Sequence, residues 1–288
     1  MSNILQSDIW ARFQESNGHT VIRKSGNGWS YLATVEGGAT GRYLYSPYGP
    51  VASSAVAFDE ALASLKEEAA KLRCLFVRIE PTESAIWGDQ DAAAFLARRG
   101  AVLAPRQVQP SHTQIIDLSG TEDEILKGMS SSYRNRHRNL HKKGVTIEVS
   151  TNPSDMTILF GFLEETADRN GFNRQQDEYL MQVARVLMPA GAASLYIAKL
   201  TDENGKSTPI AAAFVYDSDD TRTYAHAAAS FEHRNLSAGV VVVTNFILDA
   251  KRKGLKYVDL FGIAPEDQPD HEWAGFTKFK KSFGGESV

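Results

Sequence analysis

Residues 275–285 interleave phenylalanines with lysines and end in a pair of glycines. An ammonium group held beside an aromatic wall is poorly screened by water, so it can stabilise the negative charge that develops on oxygen during acyl transfer. The spacing of Phe276, Phe279 and Phe283 also fits the buried face of an amphipathic last helix with solvated lysines opposite, and spacing alone favours this second interpretation. The closing pair, Gly284 and Gly285, predicts a flexible end.

The composition is that of a globular protein with a packed core. The chain has 288 residues, of which 42% are hydrophobic and 23% charged, enough for one large or two ordinary domains. Its single cysteine, Cys74, excludes an intramolecular disulfide and lies in an apolar run that predicts a buried strand. The sequence has no apolar stretch of transmembrane length and begins without a signal-peptide pattern. A cytoplasmic location is therefore expected.

A basic block lies near the middle of the chain. Residues 134–143 hold arginines, lysines and two histidines, and no acidic side chain. A capping box at Thr121 and Glu124 predicts that a helix starts there, carries the block and ends at Gly144. The net charge of -4 disfavours nucleic-acid binding over the whole surface. The block therefore predicts local docking of a polyanion, and a solvated helix face is the alternative.

The order of predicted elements is repeated in the two halves of the chain. Each half has a run of strands, then a long helix, then a closing strand that leads into a proline. The helices are predicted at 55–73 and 237–254, and the closing strands at 74–80 and 257–261. The repeat predicts an α/β protein with mixed sheets and two tandem copies of one fold. The predicted parts are a first domain at 1–120, a basic linker helix at 121–144 and a second domain at 145–288.

Most kinds of catalytic site lack their signatures in this sequence. The seven histidines do not occur at metal-ligand spacings, and the chain has no Walker, dinucleotide-binding or serine-hydrolase glycine motif. Neither a metal nor a bound cofactor is expected. One loop, residues 234–239, resembles the Arg/Gln-x-x-Gly-x-Gly/Ala loop with which GNAT N-acetyltransferases bind the pyrophosphate of coenzyme A, with Ser237 in place of the first glycine. A helix N-cap at Ser237 with tight packing at Gly239 is the favoured alternative.

Four stretches, in order, resemble the FemABX family of peptidoglycan aminoacyltransferases. Residues 45–51 are similar to the family's Gly-Pro-Val loop, and residues 134–145 to its Arg-x-x-x-Arg helix that leads to Lys-Lys-Gly-Val. Residues 224–263 are similar to the strand, loop, helix and Asp-x-x-Gly-Ile strand of the family's second domain, and residues 275–285 match its Phe-Lys-x-x-Phe run. The resemblance covers nearly the whole chain and implies two tandem GNAT-like domains.

The resemblance also implies a reaction. The family carries an amino acid from aminoacyl-tRNA to an amine of the stem peptide of a muramyl pentapeptide precursor, which is lipid-linked or UDP-linked. Such aminolysis of an activated ester needs no metal, cofactor or covalent intermediate. Lys280, aligned with the lysine of the Phe-Lys-x-x-Phe run, is expected to stabilise the oxyanion or the leaving oxygen. Peripheral contact with the inner face of the plasma membrane is expected, and DNA is not an expected partner.

Further roles follow from the same resemblance. The tRNA is expected to bind the basic block through Arg134, Arg138, Lys142 and Lys143. The acceptor is expected to meet Arg174 and Arg12 with its phosphates and a channel lined by Tyr224, His226 and Tyr179. Asp259 is expected to orient the attacking amine, with a structural hydrogen bond as the favoured alternative. For each phosphate-binding arginine, an exposed loop arginine without a ligand is an equal alternative.

Two other functions fit the same residues. One is an N-acyltransferase that uses coenzyme A or another thioester, which keeps the fold and changes the donor. The other is a catalytically silent protein that binds muramyl precursors or RNA in the same groove. The donor that supports transfer, or the absence of transfer despite binding, distinguishes the three.

Overall fold

The structure is a computed structural model that describes residues 1–38, 41–82, 84–88, 91–171, 174–268 and 270–288. The chain divides into two compact units. The N-terminal unit is Asn3–Gln109, and the C-terminal unit is Pro110–Val288 together with Met1–Ser2. Within the described ranges, no helix combines the length and the hydropathy that crossing a bilayer would require.

The N-terminal unit is a mixed sheet with one long helix against it. Its elements are α1 (Asp8–Ser16), β1 (Val21–Gly26), β2 (Trp29–Gly38), β3 (Gly41–Ser46), β4 (Val51–Ala52), α2 (Ala55–Lys71), β5 (Val77–Ile79), α3 (Ser84–Trp87) and α4 (Ala92–Ala97). The strand order is β1-β2-β3-β5, with β4 paired to β2, and only β3 and β5 among the described pairs run parallel. The Ser54 hydroxyl caps α2, whose residues Ala61 and Leu65 pack against Leu44 of the sheet.

The loop that resembles the family's Gly-Pro-Val loop is held by the half-buried amide of Gln6. The Gln6 side chain donates to the carbonyls of Pro47 (2.5 Å) and Leu32 (3.2 Å) and accepts from the Leu32 N–H (2.7 Å). Tyr48 has a left-handed backbone, and the Gly49–Pro50 peptide bond is cis. The Gln6 side chain therefore links the loop to strand β2.

The C-terminal unit is built on a larger mixed sheet. Its elements are β6 (Thr113–Asp117), α5 (Glu122–Gly128), α6 (Ser131–Asn139), β7 (Val145–Ser150), α7 (Met156–Asn170), α8 (Asp177–Leu187), β8 (Ala193–Thr201), β9 (Ser207–Asp217), β10 (Thr221–Ala229), α9 (Ala238–Arg252), β11 (Tyr257–Gly262), α10 (Ala274–Lys281) and β12 (Glu286–Ser287). The strand order is β12-β6-β11-β10-β9-β8-β7. The parallel pair β10 and β11 is joined by α9, which is apolar on most sides because it lies inside the main core. The predicted helix at 237–254 and strand at 257–261 are confirmed within two residues.

The basic segment differs from its prediction. A single connector helix was expected at 121–144, but α5 and α6 are separate, and a 3₁₀ turn at Leu140–Lys143 follows. The predicted capping box at Thr121 is present, and the chain breaks after α5 because Ser130 starts a new helix with its own N-cap. The segment lies inside the C-terminal unit, where α6 packs against α9. The observed division falls at Gln109 because β6 pairs with β11 and so joins the second sheet.

The end of the chain is not a flexible tail. Gly284 and Gly285 both have left-handed backbones, and β12 then pairs with β6. A Cβ at Gly284 would lie 2.8 Å from the Gly128 carbonyl oxygen, and one at Gly285 would clash with the carbonyl of Ile115. The glycines therefore allow a close backbone passage instead of supplying mobility, and this corrects the expectation.

Candidate active site

The ammonium of Lys280 is fixed at one end of the second sheet. Lys280 lies on α10, is half-buried, and donates a hydrogen bond to the Gly262 carbonyl over 2.7 Å at the end of β11. Burial lowers the pKa of Lys280 to about 8, and the carboxylate of Asp259 acts in the opposite direction. An ammonium has three N–H donors, and in the described part of the chain one of them has a partner. This lysine can therefore offer charge and a proton to a reacting group.

Aromatic rings form one wall of the helix that carries Lys280. Phe279 and Phe283 lie edge to face at 5.1 Å, and Tyr133 of α6 contacts them at 5.9 Å and 4.8 Å. Phe283 is fully buried, whereas Phe276 is 58% exposed. The predicted packing of the aromatic face against the core is thus confirmed for Phe279 and Phe283 and is wrong for Phe276, because α10 lies at the edge of the core. Core packing and a half-buried ammonium occur together on one short helix.

Asp259 lies beneath the carbonyl that holds Lys280. It is 7% exposed, and its Oδ1 accepts hydrogen bonds from the Thr113 hydroxyl and from the Phe261 N–H (2.7 Å). Burial raises the pKa of Asp259, and the two hydrogen bonds act against that shift. The favoured structural hydrogen bond is confirmed.

The loop before α9 differs from the predicted N-cap. Ser237 has a left-handed backbone and makes no side-chain cap to α9. Its hydroxyl instead accepts a hydrogen bond from the Arg136 guanidinium at 2.6 Å, which draws the serine away from the helix end. Gly239 lies against Phe279, whose ring is 4.0 Å from the position of an added Cβ. This is an ordinary van der Waals distance, so the predicted tight packing at Gly239 is wrong, and Arg136 is a contact that the sequence did not reveal.

The basic segment separates into bonded and free cations. Arg134 donates to the carbonyls of Lys127 (2.9 Å) and Met129 at the end of α5. Arg138, Lys142 and Lys143 are exposed, and Lys142 bonds only the Asn139 side chain among the described residues. None of these four cations forms an ion pair within the described ranges. The structure therefore leaves Arg138, Lys142 and Lys143 open to an external anion, while Arg134 fastens two helices together.

A bulge separates two residues predicted to line one channel. Tyr224 is opposite Val215 in register and His226 is opposite Phe214, so β10 has an extra residue between them. Tyr224 packs against Phe246 of α9 on the side of the main core. His226 is turned to the opposite face of the sheet, where it meets the Tyr216 ring at 6.2 Å. Residues two positions apart in a strand normally lie on the same face of the sheet, and the bulge places Tyr224 and His226 on opposite faces instead.

The face that carries His226 also carries a second predicted residue. Burial lowers the pKa of His226 to about 4, so its ring is neutral near pH 7. Tyr179 lies close enough for its charge to raise the pKa of Tyr216, which burial already raises strongly. His226 thus contacts Tyr216, Tyr179 lies within electrostatic range of the same ring, and Tyr224 is on the other face.

The two predicted phosphate-binding arginines have different surroundings. Arg174 pairs with Asp177 at the start of α8 through two N–H groups, one of them at 3.1 Å. Its charge is already matched by a carboxylate, as expected for a structural loop arginine. Arg12 is exposed on α1 of the N-terminal unit.

The most buried cation of the C-terminal unit was not predicted. Arg222 has no exposed surface and donates to both Asp217 oxygens at 2.6 Å, to Tyr196 at 2.7 Å and to Asp249 at 3.0 Å. Arg222 is opposite Asp217 in the β9–β10 pair, which the short hairpin spacing would have indicated. This fully bonded network stabilises the sheet and is not available to a ligand.

Comparison with known proteins found a matching family model and two curated relatives. A model described as "Acetyltransferase (GNAT) domain" matches residues 127–273. Two strains of Staphylococcus epidermidis have a "Lipid II:glycine glycyltransferase" that is 28% identical over 98 residues, or 34% of this chain. The chain matches only 23% of the length of these curated relatives.

Solved structures match over a greater length. The structure titled "Crystal structure of FemX" superposes with a TM-score of 0.86 at 19% identity and covers 100% of this chain and 90% of that one. A tandem GNAT protein from the clavulanic acid biosynthesis pathway gives a TM-score of 0.53 at 15% identity, covering 93% of this chain and 81% of that one. Likeness at such identities establishes the fold, which is two tandem GNAT-like domains. The chain therefore belongs to the acetyltransferase (GNAT) domain family, and its resemblance to the FemABX proteins is confirmed.

Proposed function

We propose that this protein transfers an aminoacyl group from aminoacyl-tRNA to an amine of a peptidoglycan precursor. The observation that carries the proposal is the half-buried Lys280 ammonium, held on the Gly262 carbonyl and carried by the helix whose Phe279 packs against Phe283. The relatives named Lipid II:glycine glycyltransferase support an acyl transfer of this kind.

The reaction is aminolysis of an ester. The acceptor amine attacks the ester carbonyl, the C–N bond forms, and a tetrahedral oxyanion develops before the bond to the tRNA oxygen breaks. The amine loses a proton, and the leaving tRNA hydroxyl gains one. With a pKa of about 8, Lys280 is mostly protonated at neutral pH and still acidic enough to share its proton with the leaving oxygen. Its low-dielectric surroundings strengthen its interaction with the oxyanion.

The donor tRNA is assigned to the free cations of the basic segment. Arg138, Lys142 and Lys143 are exposed and unmatched by carboxylates in the described ranges, which suits contact with successive phosphates. Arg134 is excluded from this surface because its guanidinium bonds the end of α5. The single-stranded acceptor end would then run towards α10, since Arg136 and Tyr133 link α6 to the α9 loop and to the aromatic wall.

The acceptor is proposed to be a muramyl pentapeptide, lipid-linked or UDP-linked, used on the cytoplasmic side of the membrane. His226 and Tyr179 are the polar side chains assigned to its peptide. A neutral imidazole and a phenol suit hydrogen bonding to a peptide rather than to a phosphate. Arg174 would serve the precursor phosphate only by leaving Asp177.

Transfer from coenzyme A is the second candidate, because the matching family model is described as an acetyltransferase domain. Two contacts speak against it. The Arg136 guanidinium occupies Ser237, and the Phe279 ring lies against Gly239, in the loop where a pyrophosphate would meet backbone N–H groups. The Ser237 hydroxyl is therefore already engaged in the loop that the coenzyme would use.

The test supplies each donor separately to the purified protein. Total charged tRNA with UDP-linked or lipid-linked muramyl pentapeptide is expected to give a product heavier by one aminoacyl residue, measured by mass spectrometry. Uncharged tRNA is the matched control and should give none. Transfer from acetyl-coenzyme A, with none from aminoacyl-tRNA, would replace the proposal by the second candidate. Precursor binding without transfer from either donor would instead identify a silent binding protein.

A further inference from the structure

A backbone bulge connects Asp259 to the carbonyl that holds Lys280. In the pairing of β11 with β6, Asp259 is opposite Ile115 and Gly262 is opposite Thr113. Over this step β6 advances by two residues and β11 by three, so β11 contains one extra residue. The bulge changes the direction of the end of β11, where the Gly262 carbonyl accepts the hydrogen bond from Lys280.

The bulge contains a strained residue. Phe261 has φ of 63°, in the left-handed region that is unfavourable for a bulky side chain. Its N–H donates to the Asp259 carboxylate at 2.7 Å, and the Thr113 hydroxyl donates to the same oxygen. Such strain persists only where neighbouring contacts enforce it. Asp259, braced by Thr113 on the adjacent strand, supplies that enforcement.

Gly262, the residue after Phe261, is also closely packed. A Cβ on Gly262 would lie 2.8 Å from Pro110 and 3.0 Å from Trp273, so only glycine fits this position. The Gly262 carbonyl accepts a hydrogen bond from Lys280 of α10. Two residues later, the Ala264 N–H donates to the hydroxyl of Thr277, also on α10, at 2.8 Å. The strand end and α10 are therefore joined by two hydrogen bonds that both follow the bulge.

We propose that Asp259 is a positioning residue: with Thr113 it holds the Phe261 bulge, which aims the Gly262 carbonyl at the Lys280 ammonium. The inference rests on the proposed function of Lys280 and gives Asp259 a different role from orienting the attacking amine. Asp259 is also the ionisable side chain whose charge acts on Lys280 in the described part of the chain. The carboxylate thus sets both where the ammonium lies and how firmly it keeps its proton.

The first experiment locates Lys280 without any substrate. The protein is labelled with an amine-acylating reagent over a pH series, and peptide mass spectrometry gives the labelling midpoint of Lys280, with exposed Lys278 as the internal reference. In the wild type the midpoint is expected near pH 8. Asp259→Ala releases the ammonium to water and should raise the midpoint towards that of Lys278. Asp259→Asn keeps an acceptor oxygen but removes the charge, so it should lower the midpoint.

The second experiment uses a rescue that an aspartate orienting the substrate amine would not show. Asp259→Ala is expected to lower kcat about tenfold with little change in KM, because the left-handed Phe261 loses its support. Glycine adopts that backbone freely, so adding Phe261→Gly should recover most of the activity. Thr113→Val should reproduce a smaller part of the defect, and Thr113→Ser should not. Asp117→Asn, on the same strand β6 as Thr113, is the control and should leave the Lys280 midpoint unchanged.

The outcomes separate this inference from the proposed function. If both Asp259 variants leave the Lys280 midpoint unchanged, or if Phe261→Gly relieves nothing, the positioning role is overturned. If Asp259→Ala does not fold, the Lys280 midpoints of Asp259→Asn and Thr113→Val decide the question. The positioning role predicts that both midpoints shift. If the wild type transfers no aminoacyl group while the midpoints shift as expected, the positioning role stands and the proposed function fails.

Discussion

Two cation-rich helices of the C-terminal unit use their charges differently. The helix α10 places Lys280 half-buried with its ammonium on a backbone carbonyl, and burial lowers its pKa to about 8. The helix α6 and the turn after it leave Arg138, Lys142 and Lys143 exposed to water. Burial changes the acidity of a cation and strengthens its field, whereas exposure leaves it screened. This difference supports our proposal that α10 carries the reaction chemistry and that α6 with the turn after it attracts a polyanion.

The largest expected effect tests the buried half of this comparison. Lys280→Met should lower kcat by about 10²-fold to 10³-fold while KM for the acceptor changes little, because the lysine acts on developing charge. Lys278→Met on the same helix is the matched control and should keep nearly full activity, since Lys278 is exposed. Steady-state kinetics and a melting curve for each variant provide the measurement. A Lys280 variant that melts early but keeps its turnover would assign the residue to packing instead.

The next effect tests the exposed half. Replacing Arg138, Lys142 and Lys143 by glutamine together should raise KM for charged tRNA about tenfold or more, with kcat nearly unchanged. The salt dependence of tRNA binding should also become shallower, by about one unit of slope for each phosphate that the variant no longer neutralises. Filter binding at several salt concentrations measures both. An unchanged slope would show that the tRNA docks elsewhere.

The acidity of Lys280 predicts a pH dependence. The ammonium is the active form, so turnover should fall as pH rises through about 8, where the lysine loses its proton. The fall should approach tenfold per pH unit. Lys280→Arg keeps its charge at all these pH values, so the fall should vanish in that variant even if its turnover is low. A wild-type decline that persists in Lys280→Arg belongs to another group.

The smallest effect distinguishes Arg134 from the free cations beside it. Arg134→Gln removes hydrogen bonds to carbonyls at the end of α5 and should cost about 1 kcal/mol of stability. Arg138→Gln should leave stability nearly unchanged, because that side chain is exposed and forms no hydrogen bond or ion pair among the described residues. Chemical denaturation measures the difference. Equal stability for the two variants would remove the distinction within the basic segment.

Most of the fold could be predicted because its signals are local. The helix α9, predicted from its apolar periodicity, and the strand after it begin and end within two residues of their predicted bounds. The basic segment was harder, since its polar residues show no periodicity and the break at Ser130 depends on a single N-cap. The domain boundary was displaced because the pairing of β6 with β11 joins residues far apart in the chain.

The candidate site was predicted in part. Lys280 was identified through the run it belongs to, but its partner, the Gly262 carbonyl, lies outside that run. Tyr224 and His226 were expected on one face because strands alternate, and an extra residue in β10 separates them. Arg136 gave no signal beyond its membership of a basic block, and its contact with Ser237 depends on how α6 packs against α9.

The sequence by itself determined the repeated order of helices and strands and the class of the fold, and its family resemblance made Lys280 the candidate for acyl transfer. These depend on periodicity and on short motifs, which act between neighbouring residues. Only the tertiary structure decided which cations are free, which are bonded, and which one is buried enough to change its acidity. Burial and hydrogen-bond partners come from segments distant in the chain, so a charge such as that of Lys280 acquires its chemistry only when β11 and α10 meet.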